Sequence, residues 1–187
     1  MAHDRTLCFK GSRQYLHSTT LFDDIVLLRG PDVAGIDFTF KHKTGRQVSY
    51  VPAGQFDPAA GAVEVASWRD GRGEIRVVER DAAIDCRTDY DEDALARSFA
   101  YEAERVTLPA QIGGHSVIEA IVAAFKALLQ RTVAGPESKL AFVRIRLSAV
   151  PQLPLEVRFS RRIGEFYQGD IRVDGRAVGQ IFFGEWR

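Results

Sequence analysis

Twice along the chain, one helix-patterned stretch is followed by several short segments in which apolar and polar residues alternate, an order that few folds accommodate. In the second half the helix pattern is Ile118, Ile121, Val122, Phe125 and Leu129, which share one face of a helix. Alternation follows at residues 143–147 and 155–159. In the first half the helix lies in TTLFDDIVLLRG, where Thr19 or Thr20 is placed to cap it and Gly30-Pro31 to stop it. Residues 36–41 and 63–65 then alternate, and one apolar face per segment predicts half-buried antiparallel strands. Setting residues 20–27 over 116–123 aligns Asp23 with Glu119, Ile25 with Ile121 and Val26 with Val122. Each group also holds an Asp-Gly step, Asp70-Gly71 and Asp174-Gly175, of the kind that favours a type I′ hairpin turn.

This doubling divides the 187 residues into an N-terminal half, 1–80, and a C-terminal half, 98–187. Between them residues 81–97 read as a linker, acidic and poor in large apolar groups at DAAIDCRTDYDED. The DALARSFAYEAE that follows it begins as a short helix and passes into the first strand of the second half.

Composition narrows the class of function. Lys+Arg 25 cancels Asp+Glu 25, so charge favours neither nucleic acid nor an anionic membrane as partner. The N-terminal stretch lacks an apolar run of signal-peptide length, and no run approaches a membrane span, which predicts a cytoplasmic protein. Cys8 and Cys86 stand far apart with no second Cys or His at metal spacing, so two unpaired thiols and no metal or cofactor are expected.

Element order together with IGGHSVIEAIVAA (residues 112–124) carries a resemblance to the hot-dog superfamily, in a double hot-dog arrangement. The stretch is similar to the start of the central helix in hot-dog dehydratases that act on 3-hydroxyacyl thioesters. The resemblance implies an α+β fold of two hot-dog-like repeats, each a long central helix wrapped by a curved antiparallel sheet. It places Glu119 at the family's catalytic carboxylate, and Asp23 at the same place in the first half. The family's histidine falls on Arg105, and on Phe9 in the first half, so the sequence departs from the pattern there. GSRQYLHSTTLF (residues 11–22) resembles the histidine loop of hot-dog enoyl-thioester hydratases and puts His17 at the histidine, although the aspartate falls on Ser12 and the Asn-Pro step on Gln14-Tyr15.

Hot-dog proteins mostly bind acyl groups carried on coenzyme A or acyl carrier protein, with the thioester near a helix N-terminus at the seam between two units. Free amides and the positive end of the helix dipole suit that position to polarising a carbonyl. The expected substrate-binding residues are therefore Gly113, Gly114 and Ser18, and the expected acid/base groups are Glu119, His17, Asp23 and His115. A desolvated glutamate has its pKa raised toward the range acid catalysis needs, and a histidine titrates near neutrality. Glu119 alternatively lies on a solvated stripe with His115 and Lys126, and Asp23 alternatively serves only the dipole of its helix. An arginine stripe, Arg144, Arg146, Arg158, Arg161 and Arg162, reads as the solvated outer face of a sheet, or alternatively as a contact for a nucleotide phosphate or an acidic carrier protein.

The function expected is processing of acyl thioesters, as a dehydratase or hydratase or as a thioesterase. The other expectation is a non-catalytic scaffold or acyl-ligand-binding subunit, supported by Arg105 in place of the histidine. Acyl-coenzyme A or acyl carrier protein would be the partner, and a homodimer stays open.

Overall fold

A computed structural model describes residues 3–185. The chain forms two compact units, Met1–Tyr90 and Asp91–Arg187. The first contains β1 (His3–Asp4), β2 (Phe9–Lys10), α1 (Ser18–Arg29), β3 (Ala34–Phe40), β4 (Arg46–Pro52), β5 (Glu64–Asp70), β6 (Gly73–Ala83) and β7 (Arg87–Thr88). Its main strands run in the order β1-β4-β6-β5-β3, all antiparallel, and β2 pairs with β7 in a separate parallel ladder. The second contains α2 (Glu92–Arg97), β8 (Ala100–Glu102), β9 (Arg105–Leu108), α3 (Val117–Thr132), β10 (Leu140–Ala149), β11 (Leu155–Ile163), β12 (Phe166–Val173) and β13 (Arg176–Glu185). Its strands run in the order β10-β13-β12-β11-β9-β8.

These elements correct the expected pair of repeats, each built on a long central helix. Among the described residues the α-helices are short, 12, 6 and 16 residues, and strand residues outnumber helical ones, with five strands in the main sheet of the first unit and six in the sheet of the second. Two physical reasons stand behind the difference. Gly30, at φ 87°, ends α1 after little more than three turns, and Pro31 follows it. The alternating segments also extend further than their most regular stretches, so that β6 reaches 11 residues and β10 and β13 reach 10 each.

The helices α1 and α3 each lay an apolar stripe on strands of their own unit. In the first unit Leu21, Phe22 and Ile25 are fully buried, and Phe22 meets the rings of Phe38 and Trp68 edge-on at 5.7 and 5.2 Å. In the second, Ile118, Ile121, Val122, Phe125, Leu128 and Leu129 are buried, and Phe125 meets Phe183 edge-on at 5.6 Å. Burying such side chains contributes about 1.5–3 kcal/mol each, which is why a short helix is held at all.

The two hairpins differ. Val173 pairs with Arg176, and Asp174 and Gly175 turn between them with φ 49° and 74°, as a type I′ turn needs. In the first unit the turn is displaced by one residue: Asp70 pairs with Gly73, and Gly71-Arg72 form the loop. Asp70 is drawn into the strand because its buried carboxylate accepts from Trp68 Nε1 and from the Arg72 amide, both at 2.7 Å. The segment read as a linker carries the end of β6, then β7 and α2, and α2 leads into β8 as the pattern at residues 93–104 predicts.

The expected pair of free thiols is also corrected. The β2–β7 ladder brings Cys8 and Cys86 to a Cα–Cα distance of 4.8 Å, and they form a disulfide across 78 residues of sequence. Among the described residues no helix is long and apolar enough to cross a membrane.

Two carboxylates contribute to stability on the acid side. Burial alone would raise Glu64, but hydrogen bonds from Lys41 and Arg76 outweigh it and hold the group below its ordinary value of 4.5. Glu156 is held down by the hydrogen bond it accepts from Arg158, against a smaller effect of burial, with Arg105 and Arg172 adding to the lowering. Groups lowered on folding stabilise the native state above their unfolded pKa and lose that contribution as pH falls through the folded one. Their contribution is therefore expected to be complete above about pH 5.5 and to decline below about pH 4.5, read as a falling melting temperature. In Glu64→Gln that acid limb flattens, and an unchanged limb would refute the assignment.

Candidate functional site

The candidate residues gather at the start of one helix in each unit. In the second unit, Gly113 and Gly114 are exposed with φ 61° and 84°, a left-handed pair that turns the chain into α3. Ser116 is the N-cap, and its hydroxyl accepts from the Glu119 amide at 3.2 Å. Glu119 returns the contact, its Oε2 accepting from the Ser116 amide at 2.9 Å. This reciprocal capping box satisfies two amides of the first turn and fixes the glutamate rotamer.

His115 stands one turn before Glu119, with Nδ1 3.5 Å from the same Oε2. Glu119 is only 7% exposed, so it is not on a solvated stripe. Lys126, the other expected member of that stripe, pairs instead with Glu92 at 2.9 Å. The result is a desolvated carboxylate beside an imidazole at the positive end of a helix.

In the first unit the helix begins earlier than Thr19 or Thr20 would set it: the N-cap is His17, and α1 opens at Ser18. His17, Ser18 and Thr19 are all buried. His17 makes no side-chain cap, and its Nδ1 lies 2.7 Å from Thr19 Oγ1, a hydroxyl that also accepts from Lys10 Nζ at 3.3 Å. The imidazole rests against the Tyr90 ring at 5.6 Å. Ser18 lies in the first turn beside His17.

Asp23 falls in the second turn and is half-buried, too far along α1 for the dipole effect, which fades beyond the first turn. Its neighbour Asp24 is held from two other parts of the unit. Asp24 Oδ2 accepts from Arg5 Nε at 2.7 Å and from the Tyr50 hydroxyl at 2.6 Å, and Arg5 Nη2 closes a second bond to Oδ1. Burial first, and then the bond to Asp24, hold the Tyr50 hydroxyl far above its ordinary range. That cluster is a structural lock between α1 and β4.

Arg105, at the family's histidine position, is bound into the β9 surface by Glu102 and by Glu156 at 3.3 Å. Arg158 pairs with Glu156 as well, so part of the arginine stripe is occupied by local ion pairs. A cavity of about 590 Å³ opens in the first unit at the far end of α1, lined by Leu28, Arg29, Tyr50 and Ile75 among others, and none of the expected site residues borders it.

Sequence reasoning missed the cap at Ser116, which fixes Glu119, and read Thr19 only as a candidate helix cap and not as the hydroxyl that meets His17. Ser-x-x-Glu before an apolar run is a readable capping signal. Thr19 carried no comparable sign of bonding a histidine two residues before it.

No protein-family model and no curated protein sequence matches the chain. Solved structures do. The crystal structure of the erythromycin dehydratase is 13% identical, with 95% of this chain and 83% of that chain covered and a TM-score of 0.45. The dehydratase domain of RzxB from Pseudomonas fluorescens is 12% identical, with 96% and 91% covered and a TM-score of 0.42. The tesB protein of Mycobacterium avium subsp. paratuberculosis is 11% identical, with 92% and 88% covered and a TM-score of 0.44. The likeness to each of these structures is distant.

Proposed function

We propose that the chain processes acyl thioesters, with Glu119 as its principal acid/base group. The observation that carries the reading is the Glu119 carboxylate, buried at the N-terminus of α3, its Oε2 shared between the Ser116 amide and His115 Nδ1 immediately after a glycine pair. A thioester carbonyl placed there is polarised by first-turn amides that the capping box does not engage, those of Val117 and Ile118. The exposed Gly113-Gly114 backbone lets the acyl chain approach closely.

A carboxyl group in that place exchanges a proton with a 3-hydroxyl group, which gives dehydration or its reverse. It can equally activate a water against the carbonyl, which gives hydrolysis. His115 orients the carboxylate and lends it a proton partner. In the first unit His17, with its ring turned by Thr19, is the proposed second acid/base group, and Ser18 a contact for the bound ligand.

The test is a panel of acyl-coenzyme A and 3-hydroxyacyl-coenzyme A compounds, read for thermal stabilisation, thiol release and enoyl absorbance. A ligand at a hundred times its Kd stabilises by about 2.7 kcal/mol. Stabilisation with turnover supports the reading; neither, across short and long acyl chains, overturns it.

A second reading is a non-catalytic acyl-ligand-binding subunit. It is favoured by one observation: the oxygen of Glu119 nearest His115 already caps the helix. Stabilisation without turnover would select it.

A further inference from the structure

We infer that the Cys8–Cys86 disulfide and Tyr90 are positioning elements for His17, so that the setting of this imidazole depends on the thiol redox state. The inference rests on the role proposed for His17 and deepens it. Everything it needs lies within the first unit.

Residues 84–90 form a strap over the start of α1. Phe9 donates its amide to the Cys86 carbonyl at 3.1 Å, and Gly11 donates to the Thr88 carbonyl at 2.9 Å. Arg87 reaches back through Nη1 to the carbonyls of Arg13, at 2.7 Å, and Gly11. At the end of the strap Tyr90 meets residues 10–17 on several sides. Its ring lies 5.6 Å from that of His17, with Lys10 Nζ at 5.7 Å and Arg13 Cζ at 5.3 Å from the ring centre. Gly11 has φ 56°, and a Cβ there would stand 2.7 Å from the Tyr90 carbonyl oxygen, so the two backbones touch. Lys10 also bonds the Thr19 hydroxyl that holds His17 Nδ1. The ring of His17 is thus set by Thr19 from α1 and by Tyr90 from the strap.

Besides these contacts the strap has one covalent tie, the disulfide. The β2–β7 ladder is two residues long in each strand, too short to be stable by itself. Both cysteines are half-buried, hence open to a small reductant. A dithiol reductant attacks one sulfur as its thiolate, forms a mixed disulfide and then closes on itself. The Cys8–Cys86 bond is broken, two protein thiols form, and the reductant leaves as its own disulfide.

The experiment labels the four histidines with ¹⁵N and ¹³C and assigns His17 by loss of its signals in His17→Gln. Spectra and acyl-thioester turnover are then compared in the oxidised protein, after dithiothreitol, and in Cys8→Ser/Cys86→Ser, Tyr90→Ala and Tyr90→Phe. The expected result is a ring-current shift on His17 in the oxidised protein. It is lost on reduction, in the double serine variant and in Tyr90→Ala, and kept in Tyr90→Phe, while His3, His42 and His115 stay in place. Turnover should fall between about ten- and a hundred-fold with the shift, in kcat rather than KM, and return in Tyr90→Phe. Identical His17 signals in the oxidised and reduced protein would overturn the inference. Should the serine variant fail to fold, Tyr90→Ala and Tyr90→Phe, which keep the bridge, still decide it. A shift that follows redox state in a chain with no turnover in any form supports the positioning and sinks the thioester reading.

Discussion

Glu119→Gln is expected to fold and melt like the parent chain and to lose about 10²–10⁴-fold in acyl-thioester turnover. The pairing of those two outcomes comes from the capping box. A glutamine at this position of a helix still offers a side-chain oxygen to the N-cap amide, so the contact with the Ser116 amide survives the exchange. What disappears is the ionisable group. Glu119→Ala removes both, and should add a stability loss of about 1 kcal/mol, or a fall of about 2–4 °C in melting temperature for a chain of this size. Turnover and melting measured on the two variants together separate cap from chemistry. If Gln melts like the parent and turns over like it, Glu119 is a helix cap only and the catalytic assignment fails.

The sequence made this residue visible and left its setting obscure. An apolar helix face with one glutamate near its start is a pattern anyone can count, and residues 112–130 hold it plainly. The fixed rotamer depends on Ser116, whose signal lay in the same few residues, whereas the depth of Glu119 depends on how α3 packs against β9, β10 and β11, which no local pattern states. The first unit was harder. Asp23 and Asp24 are neighbours, about 100° apart around a helix, and the repeat alignment favours the first. The structure ties the second to Arg5 and Tyr50, 19 and 26 residues away in sequence, which no local pattern announces. Long-range pairing also hid the disulfide: two cysteines 78 residues apart have no spacing to read, and only the parallel β2–β7 contact brings them together. Strands were legible wherever one face is wet, as in β10 and β11. The Asp70 turn was misplaced because its carboxylate had a buried tryptophan to satisfy.

The second large effect is expected in the core that holds α3. Phe125 is fully buried, meets Phe183 edge-on, and its Cε2 and Cζ fill the space above Gly169 on β12, where an added Cβ would stand 2.5 and 2.7 Å from those atoms. Phe125→Ala should cost about 3–5 kcal/mol, read as a loss of urea midpoint at constant slope. Gly169→Ala should destabilise too, by about 1–3 kcal/mol, because the ring cannot move into a packed neighbourhood without leaving its rotamer. The sharper expectation concerns the two sites together. Phe125→Leu lacks the clashing ring atoms, so in that background the added methyl at residue 169 should cost less than in the parent chain. Part of the penalty remains, since the same Cβ also stands 3.0 Å from the Arg158 carbonyl oxygen, which no change at residue 125 removes. A double-mutant cycle should therefore return a favourable coupling of roughly 0.5–3 kcal/mol. Strict additivity would mean that α3 is not seated on β12 through Phe125. The placement of Glu119, six residues earlier on the same rigid helix, would then need another support.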